Sequence, residues 1–338
     1  MWCWSPTTGT IWGEAMIRHR QIDRFCALAM ALALALTGCA APGPGSTSAP
    51  AESGAAPAGS KAPASASQEE SGYDRREAIE RPEIGAEVVI DPPYDFDPAE
   101  MVPDDFGDYF TDCDHPTQVS TYKLAEGTDI ENEVTVLQGE EEGPTIYIVA
   151  GVHGDEIAGW MTGNLVKKIG IRAGTVHILS PANRWGAEAD PRVRYVTEQE
   201  DLNRSFPGDP EGNMAQRVAD SIYQDIQRVD PVFLFDLHEA RANAENKDFL
   251  GSSLIYTDLS EMSDMYLEML MATESGELCS ERFNFYGPGP IGSINNTVTT
   301  QLGIPTITVE TYRGYELERR IGDQLDIVEY VLRYYGLI

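Results

Sequence analysis

Residues 148–156, IVAGVHGDE, place a histidine and a glutamate three positions apart at the end of an apolar run. Histidine nitrogen and carboxylate oxygen are common zinc ligands, and a catalytic zinc keeps one position for water. A turn at this point would bring His153 and Glu156 to one side, while Gly151 and Gly154 would let the backbone approach an ion. An ordinary β-to-α turn with polar decoration is the alternative, because the pattern HxxE is weak evidence by itself.

A third zinc ligand would have to come from elsewhere in the chain, which contains five histidines. His115 lies in an acidic segment. His177 lies in the middle of the predicted strand TVHILS, where a packed histidine is the expected outcome. His238, in the segment DLHE, directly follows the apolar run FLFDL. It is therefore the best candidate for the third ligand.

Apolar strands alternate with helical segments from about residue 118 onward. Strands are predicted for TYKLAEG, NEVTVLQGEEEGPTIYIVAG, TVHILSPAN, PVFLFDLH and IPTITVE, and helices for residues 156–169, 213–229, 259–278 and 317–335. This alternation predicts an α/β fold with a mainly parallel mixed sheet covered by helices on both faces.

The candidate ligands fall where predicted strands end. His153 follows IYIVAG, His238 follows FLFDL, and Glu310 closes TITVE. In open α/β sheets, ligands gather beyond the carboxyl ends of the strands. We therefore expect these three residues to meet at one edge of the sheet.

Four motifs in order, GVHGDE, DLNRSFPG, DLHE and IPTITVE, together resemble the zinc carboxypeptidase superfamily, and most closely its succinylglutamate desuccinylase/aspartoacylase branch. The resemblance covers about residues 145–314. It implies a carboxypeptidase-like (phosphorylase/hydrolase-like) fold and one Zn²⁺ per chain. It also implies that His153, Glu156 and His238 hold this ion.

The resemblance implies two catalytic residues. The catalytic glutamate corresponds to Glu310, which would move the proton of the attacking water. The arginine that polarises the scissile carbonyl corresponds to Arg194, with Arg192 as a nearby alternative. For Glu310, the alternative interpretation is a strand-end acid that faces water.

The resemblance also implies substrate-binding residues. The pair that grips the substrate's free carboxylate corresponds to Asn203 and Arg204, and an arginine matches a carboxylate with two parallel hydrogen bonds. The mobile tyrosine that precedes the catalytic glutamate corresponds to Tyr286. An ordinary salt bridge between Arg204 and Asp201 is the alternative for that arginine.

These residues favour a zinc-dependent hydrolase of an amide or peptide bond next to a free carboxylate, with a peptide or an N-acyl amino acid as substrate. The small-substrate branch carries an additional C-terminal domain, and few residues follow Glu310 here. A carboxypeptidase-type enzyme is therefore the leading prediction. The alternatives are an N-acyl-amino-acid deacylase with the same site and a non-catalytic lipoprotein that binds zinc or peptides.

Residues 1–39 are predicted to be a lipoprotein signal peptide whose true start is Met1 or Met16. The basic segment MIRHRQIDR precedes the apolar run FCALAMALALALTG, which is too short to span a bilayer comfortably. Its end, LTGC, resembles a lipobox, in which Cys39 is lipidated. A plain signal peptide or an uncleaved anchor is the alternative. Residues 40–75, rich in Ala, Pro, Ser and Gly, are predicted to form a disordered tether.

The formal net charge of −31 argues against nucleic acid or anionic lipid as a partner. We therefore expect membrane contact through the lipid anchor, on a bacterial protein located outside the cytoplasmic membrane. Residues 76–117 are predicted to be an acidic strap, and residues 118–338 the hydrolase domain. Cys113 and Cys279 would form one disulfide or remain two unrelated thiols.

Overall fold

The computed structural model describes residues 100–107, 109–110, 113–241, 250–258 and 262–338. The predicted signal peptide with Cys39, the predicted tether and the first part of the acidic strap lie outside the described residues. Within the described ranges, no helix has both the length and the apolar character needed to cross a membrane.

A mixed sheet forms the centre of the domain. Its strands are β1 Gln118–Leu124, β2 Asn132–Gln138, β3 Glu141–Ala150, β4 Ala173–Leu179, β5 Phe233–Ala240, β6 Ser253–Tyr256, β7 Asn284–Tyr286 and β8 Thr306–Tyr312. They lie in the order β1-β2-β4-β3-β5-β8-β6-β7. The central pairs β3/β4, β3/β5 and β5/β8 are parallel, as is the outer pair β6/β7, whereas β1/β2, β2/β4 and β6/β8 are antiparallel.

Helices cover both faces of this sheet. In the described ranges they are α1 Ile157–Val166, α2 Arg184–Glu188, α3 Met214–Val229, α4 Ser263–Ser275, α5 Ile294–Thr297 and α6 Leu317–Tyr334. Alternate side chains of β3 point to opposite faces. Ile146 and Ile148 join the apolar cluster with α1, α4 and α6, whereas Tyr147 and Val149 join the cluster with α3. The predicted fold class is confirmed.

Local sequence explains where the longest elements begin and end. The side chain of Asn213 accepts a hydrogen bond from Gln216 N at the start of α3, and Asp230 ends that helix in a left-handed conformation. The helix predicted for 259–278 is shorter, Ser263–Ser275. The short edge strands β6 and β7 were not predicted, because three or four residues show no readable period.

The described end of the acidic strap packs onto the domain before β1 begins. Phe110 N donates to Glu329 Oε2 at 3.3 Å, and Gly170 N donates to Cys113 O at 3.0 Å. Cys113 and Cys279 are both buried thiols in the same apolar cluster. The predicted alternative of a disulfide between them is therefore wrong, and the alternative of two thiols is correct.

A buried carboxylate fastens α6 to the loop after α4. Asp323 accepts from Ser280 N at 2.5 Å and from Ser280 Oγ at 2.8 Å. Burial raises the pKa of Asp323 to about 6, although the hydrogen bonds from Ser280 oppose this shift. The neighbouring Asp326 raises the pKa further, and Arg319 lowers it. Asp323 therefore holds a proton in the folded state at a pH where the unfolded chain has released it.

We expect Asp323→Asn to flatten the pH dependence of the unfolding free energy. Between about pH 4 and pH 6 the folded state binds more protons than the unfolded state, so the stability contributed by Asp323 falls as the pH rises. A shift of this size corresponds to about 3 kcal/mol. Urea unfolding of the wild type and the variant across that pH range measures the two unfolding free energies. A difference between these free energies that stays constant with pH would contradict the expectation.

Candidate metal centre

The turn between β3 and α1 is shaped by two glycines. Gly151 has a φ of +71°, a left-handed conformation that favours glycine. A Cβ at Gly154 would lie 2.2 Å from the carbonyl carbon of Gly186, so this glycine lets the turn pack directly on α2. The turn thereby carries His153 and Glu156 into the interior, where each is 3% exposed.

Three buried side chains converge at the carboxyl ends of β3 and β5. His153 Nδ1 lies 2.7 Å from Glu156 Oε1, and His238 Nδ1 lies 2.7 Å from Glu156 Oε2. A candidate ligand atom from each residue lies within 4.8 Å of the others. The sheet therefore brings together the three ligands that the sequence predicted.

The second nitrogen of each histidine faces a carboxylate. His153 Nε2 lies 3.2 Å from Asp201 Oδ1, and His238 Nε2 lies 2.8 Å from Asp236 Oδ1. Metal-binding histidines usually direct their other nitrogen to such an oxygen, which orients the ring. Two histidines whose Nδ1 atoms meet at one glutamate, each with a carboxylate behind it, fit a tetrahedral zinc ion.

The charges of these residues stabilise one another. Burial raises the pKa of Glu156, but His153 and His238 outweigh it and hold this pKa well below the usual value. Burial lowers the pKa of His238, but Asp236 and Glu156 outweigh it and raise this pKa well above normal. Burial also raises the pKa of Asp201, but His153 and Arg194 outweigh it and hold this pKa well below the usual value. Glu156 and Asp201 are therefore held in their charged forms.

Glu310 lies next to the ligand set. It is the register partner of His238 across the parallel pair β5/β8, so the two side chains share one face of the sheet. It is 8% exposed. This position agrees with the predicted catalytic glutamate rather than with an acid that faces open water.

Arg194 also lies at the ligand set. Its Nη1 is 3.3 Å from Glu156 Oε1, and its Nη2 is 3.3 Å from Asp201 Oδ2. The guanidinium of Arg192, the alternative, lies 5.8 Å from the ring centroid of Trp160. Of these two arginines, Arg194 is therefore the one with ion pairs to residues of the centre.

Asn203 and Arg204 lie on a 3-10 turn, Leu202–Arg204, beside the centre. Asn203 Nδ2 is 3.3 Å from His238 Nε2, and its Oδ1 accepts from Ile294 N at 3.1 Å. Arg204 Nη1 donates to Asn203 O at 2.8 Å. Asn203 thus links β5 to α5, and Arg204 lies next to it on the same turn. The predicted role of this pair in binding a substrate carboxylate stays a prediction.

Tyr286 occupies a more distant position. It lies on β7, where its register partner is Ile255 of β6. Its ring packs against the small cluster of Ala240, Leu250 and Ile255. Since β6 separates β7 from β8, the sheet places Tyr286 two strands from Glu310. Its role in substrate binding stays a prediction.

Neither of the two carboxylates behind the histidines is among the site residues predicted from the sequence. Asp201 forms ion pairs with His153 and Arg194, and the alternative salt bridge between Asp201 and Arg204 stays a prediction. Asp236 carried a readable signal: it precedes His238 by two residues on a strand, so both side chains point to the same face.

A relative of known activity matches part of the chain. The N-alpha-acetyl-L-2,4-diaminobutyric acid deacetylase of Halomonas elongata is 32% identical over 126 residues. The matched segment is 36% of this chain and 36% of the relative. The likeness therefore spans about a third of that protein's length.

Solved structures share the fold. An aspartoacylase family protein from Mesorhizobium loti aligns with a TM-score of 0.50 at 20% identity, over 66% of this chain and 68% of its own. A variant of the cell shape determinant protein Csd4 from Helicobacter pylori aligns with a TM-score of 0.50 at 17% identity, over 58% of this chain and 52% of its own. At these identities the likeness shows a common fold.

The family comparison covers more of the chain than the relative does. The model of the succinylglutamate desuccinylase/aspartoacylase catalytic domain matches residues 142–332, a span that contains every residue of the candidate centre. With more than half of its length matched in this way, the chain belongs to the succinylglutamate desuccinylase/aspartoacylase family.

Proposed function

We propose that the protein is a zinc-dependent deacylase, which hydrolyses the amide bond of N-acyl amino acids. The observation that carries the proposal is the convergence of His153 Nδ1 and His238 Nδ1 on the Glu156 carboxylate. Glu310 lies on the adjacent strand, next to His238. Together these residues supply the ligands and the proton acceptor that a hydrolytic metal site requires.

The comparisons favour a deacylase over the carboxypeptidase that the sequence put first. The matched family is named for a desuccinylase and an acylase, and the Halomonas elongata relative is named as a deacetylase of an N-acetyl amino acid. The same centre would serve either reaction, since both hydrolyse an amide bond. The substrates tested must therefore include peptides as well as N-acyl amino acids.

In the proposed reaction, zinc, Glu310 and Arg194 would each have a separate role in hydrolysing the amide bond. A bound zinc ion would lower the pKa of water to about 7 and act as a Lewis acid. Glu310 would accept a proton from the attacking water and deliver it to the departing amine. Arg194 would stabilise the negative charge that develops on the acyl oxygen.

Substrate orientation would depend on Arg204. An N-acyl amino acid keeps a free carboxylate next to the scissile amide, and a planar guanidinium can bind it with two parallel hydrogen bonds. Arg204 is half-buried on the turn that also carries Asn203, which contacts His238. The carboxylate would thus be held at a set distance from the metal centre.

The cellular location is proposed from the sequence. The signal peptide, the lipidated Cys39 and the tether over residues 40–75 would place the deacylase outside the cytoplasmic membrane. Acyl amino acids or short peptides in that compartment would then be the accessible substrates.

We expect one zinc ion per chain in the wild-type protein and far less in His153→Ala and His238→Ala. Each substitution removes one of three protein ligands, while His177→Ala provides the matched control. His177 packs between Tyr122 and Tyr147, with ring centroids 5.8 and 5.7 Å away. Metal analysis of the purified, folded proteins measures the stoichiometry. Full zinc content in His153→Ala and His238→Ala would contradict the assigned ligands.

We expect Glu310→Gln to lower kcat by about 10²–10⁴-fold while zinc remains bound, because the amide cannot accept the proton of water. The exposed Glu318→Gln serves as the control and should retain wild-type kcat. The assay measures products by mass spectrometry from N-acetyl and N-succinyl amino acids and from peptides with free C-termini. Wild-type turnover by Glu310→Gln would contradict its role as the base.

The same product analysis separates the alternatives. Release of a free amino acid and a carboxylic acid from the acyl compounds supports the deacylase. Loss of C-terminal residues from peptides would assign a carboxypeptidase instead. A zinc-loaded wild-type protein that forms no product from either class would contradict a hydrolase and favour a binding lipoprotein.

We expect Arg204→Lys to raise KM by about tenfold with a small change in kcat, since a hydrogen bond to a charged group contributes about 1.5–3 kcal/mol. Arg217→Lys, at a surface ion pair with Asp129, is the matched control. Steady-state kinetics with an N-acyl amino acid and with its carboxamide analogue measure the effect. An equal loss for both compounds would show that Arg204 does not bind the carboxylate.

A further inference from the structure

A fully buried ion pair lies behind the candidate metal centre, between β5 and α6. Arg320 Nη1 lies 2.5 Å from Glu239 Oε1, and their side chains are 1% and 0% exposed. Arg320 belongs to the largest fully buried side chains in the described ranges. Removing one member of such a pair leaves an uncompensated buried charge, so the two charges depend on each other.

Glu239 connects this ion pair to Glu156 in two ways. Its Oε2 accepts from Ala158 N at 2.9 Å, in the first turn of α1, the helix that begins directly after Glu156. Its backbone N–H donates to Glu156 Oε2 at 3.1 Å. One residue thus contacts both the Glu156 carboxylate and the first turn of the helix that follows Glu156.

The same face of α6 reaches the strand that carries the second histidine. Gln324 lies one turn after Arg320 and donates from Nε2 to His238 O at 2.8 Å and to Thr311 Oγ1 at 3.1 Å. Two neighbouring side chains of α6 therefore contact the segment His238–Glu239 from behind. This helix follows Glu310 in the chain, so the residues after the predicted base help to build the site.

We infer that Arg320 is a positioning residue of the metal centre. Through Glu239 it fixes the orientation of the Glu156 carboxylate, and it thereby sets the affinity of the centre for zinc. The inference rests on the proposed function, because it requires Glu156 to be a zinc ligand. Side chains that orient metal ligands typically contribute 10–100-fold to metal affinity, which is about the effect expected here.

A purely structural role predicts a different result. In that case, loss of the ion pair would lower the stability of the fold and leave the zinc affinity of the folded molecules unchanged. The deciding measurement is therefore the zinc dissociation constant of folded protein, obtained by competition with a chromophoric chelator. The visible absorption spectrum of the cobalt(II)-substituted protein is a second readout, because it reports ligand geometry.

The main variant is the double substitution Glu239→Gln with Arg320→Met. It removes both charges of the pair together, so neither member is left facing an absent partner, and the Glu239→Gln change keeps an oxygen that can accept from Ala158 N. We expect zinc binding about 10–100-fold weaker than wild type and an altered cobalt spectrum. The single variant Arg320→Lys keeps the positive charge, and it should bind zinc more tightly than the double variant and more weakly than the wild type.

The control is Asp225→Asn with Arg228→Gln on the other face of the sheet, an ion pair in which Asp225 is buried and Arg228 is exposed. Asp225 is 5% exposed, and its Oδ1 lies 2.5 Å from Arg228 Nη2. Its Oδ2 accepts hydrogen bonds from the hydroxyls of Tyr122 and Tyr147, away from the predicted ligands. We expect this variant to lose stability and to keep the wild-type zinc affinity within about twofold, well below the 10–100-fold expected for loss of a ligand-orienting group.

Wild-type zinc affinity and cobalt spectrum in the folded Glu239/Arg320 double variant would overturn the inference. If that variant does not fold, Arg320→Lys decides in its place, because full wild-type affinity there would show that the guanidinium geometry is irrelevant. A wild-type protein that binds no zinc would instead overturn the proposed function. The two failures are therefore distinguishable.

Discussion

The candidate centre depends on one buried carboxylate held between two imidazoles. Glu156 is 3% exposed, and both of its oxygens lie 2.7 Å from a histidine nitrogen. A charge buried to this extent is costly unless it is paired and hydrogen-bonded. The pairing with His153 and His238 satisfies that condition in a way that also points two Nδ1 atoms at the carboxylate. The contacts that stabilise the buried charge of Glu156 are therefore the same contacts that bring the three candidate metal ligands together.

The parallel core of the sheet is what brings these groups together. β3 and β5 are neighbours, so the turn after β3 lies beside the carboxyl end of β5. β5 and β8 are also parallel and in register, which sets Glu310 next to His238. Strands that all end at one edge collect polar side chains there, as in other open α/β sheets. The candidate ligands and the proposed base therefore come from the turn after β3 and from the neighbouring strands β5 and β8.

The choice between deacylase and carboxypeptidase depends on the surroundings of the centre rather than on the centre itself. Both reactions need a metal site, a base and a group that stabilises negative charge. What differs is the space and polarity around the acyl group and the position of the arginine that binds the carboxylate. Arg204, on the turn next to Asn203, and the loop that carries Arg194 are the elements that would make this distinction.

The sequence by itself determined the α/β class, because the alternation of apolar strands with helices is a local property that can be read along the chain. Residue type, position after an apolar run and the family resemblance also singled out His153, Glu156, His238 and Glu310 as candidates. Only the tertiary structure decided which groups stand behind them. Asp201 behind His153, and Arg320 against Glu239, are pairs far apart in sequence, 48 and 81 residues. Such pairs are set by strand order and by the packing of α6 on the sheet. No local sequence pattern encodes those long-range contacts, so they could be identified only from the tertiary structure.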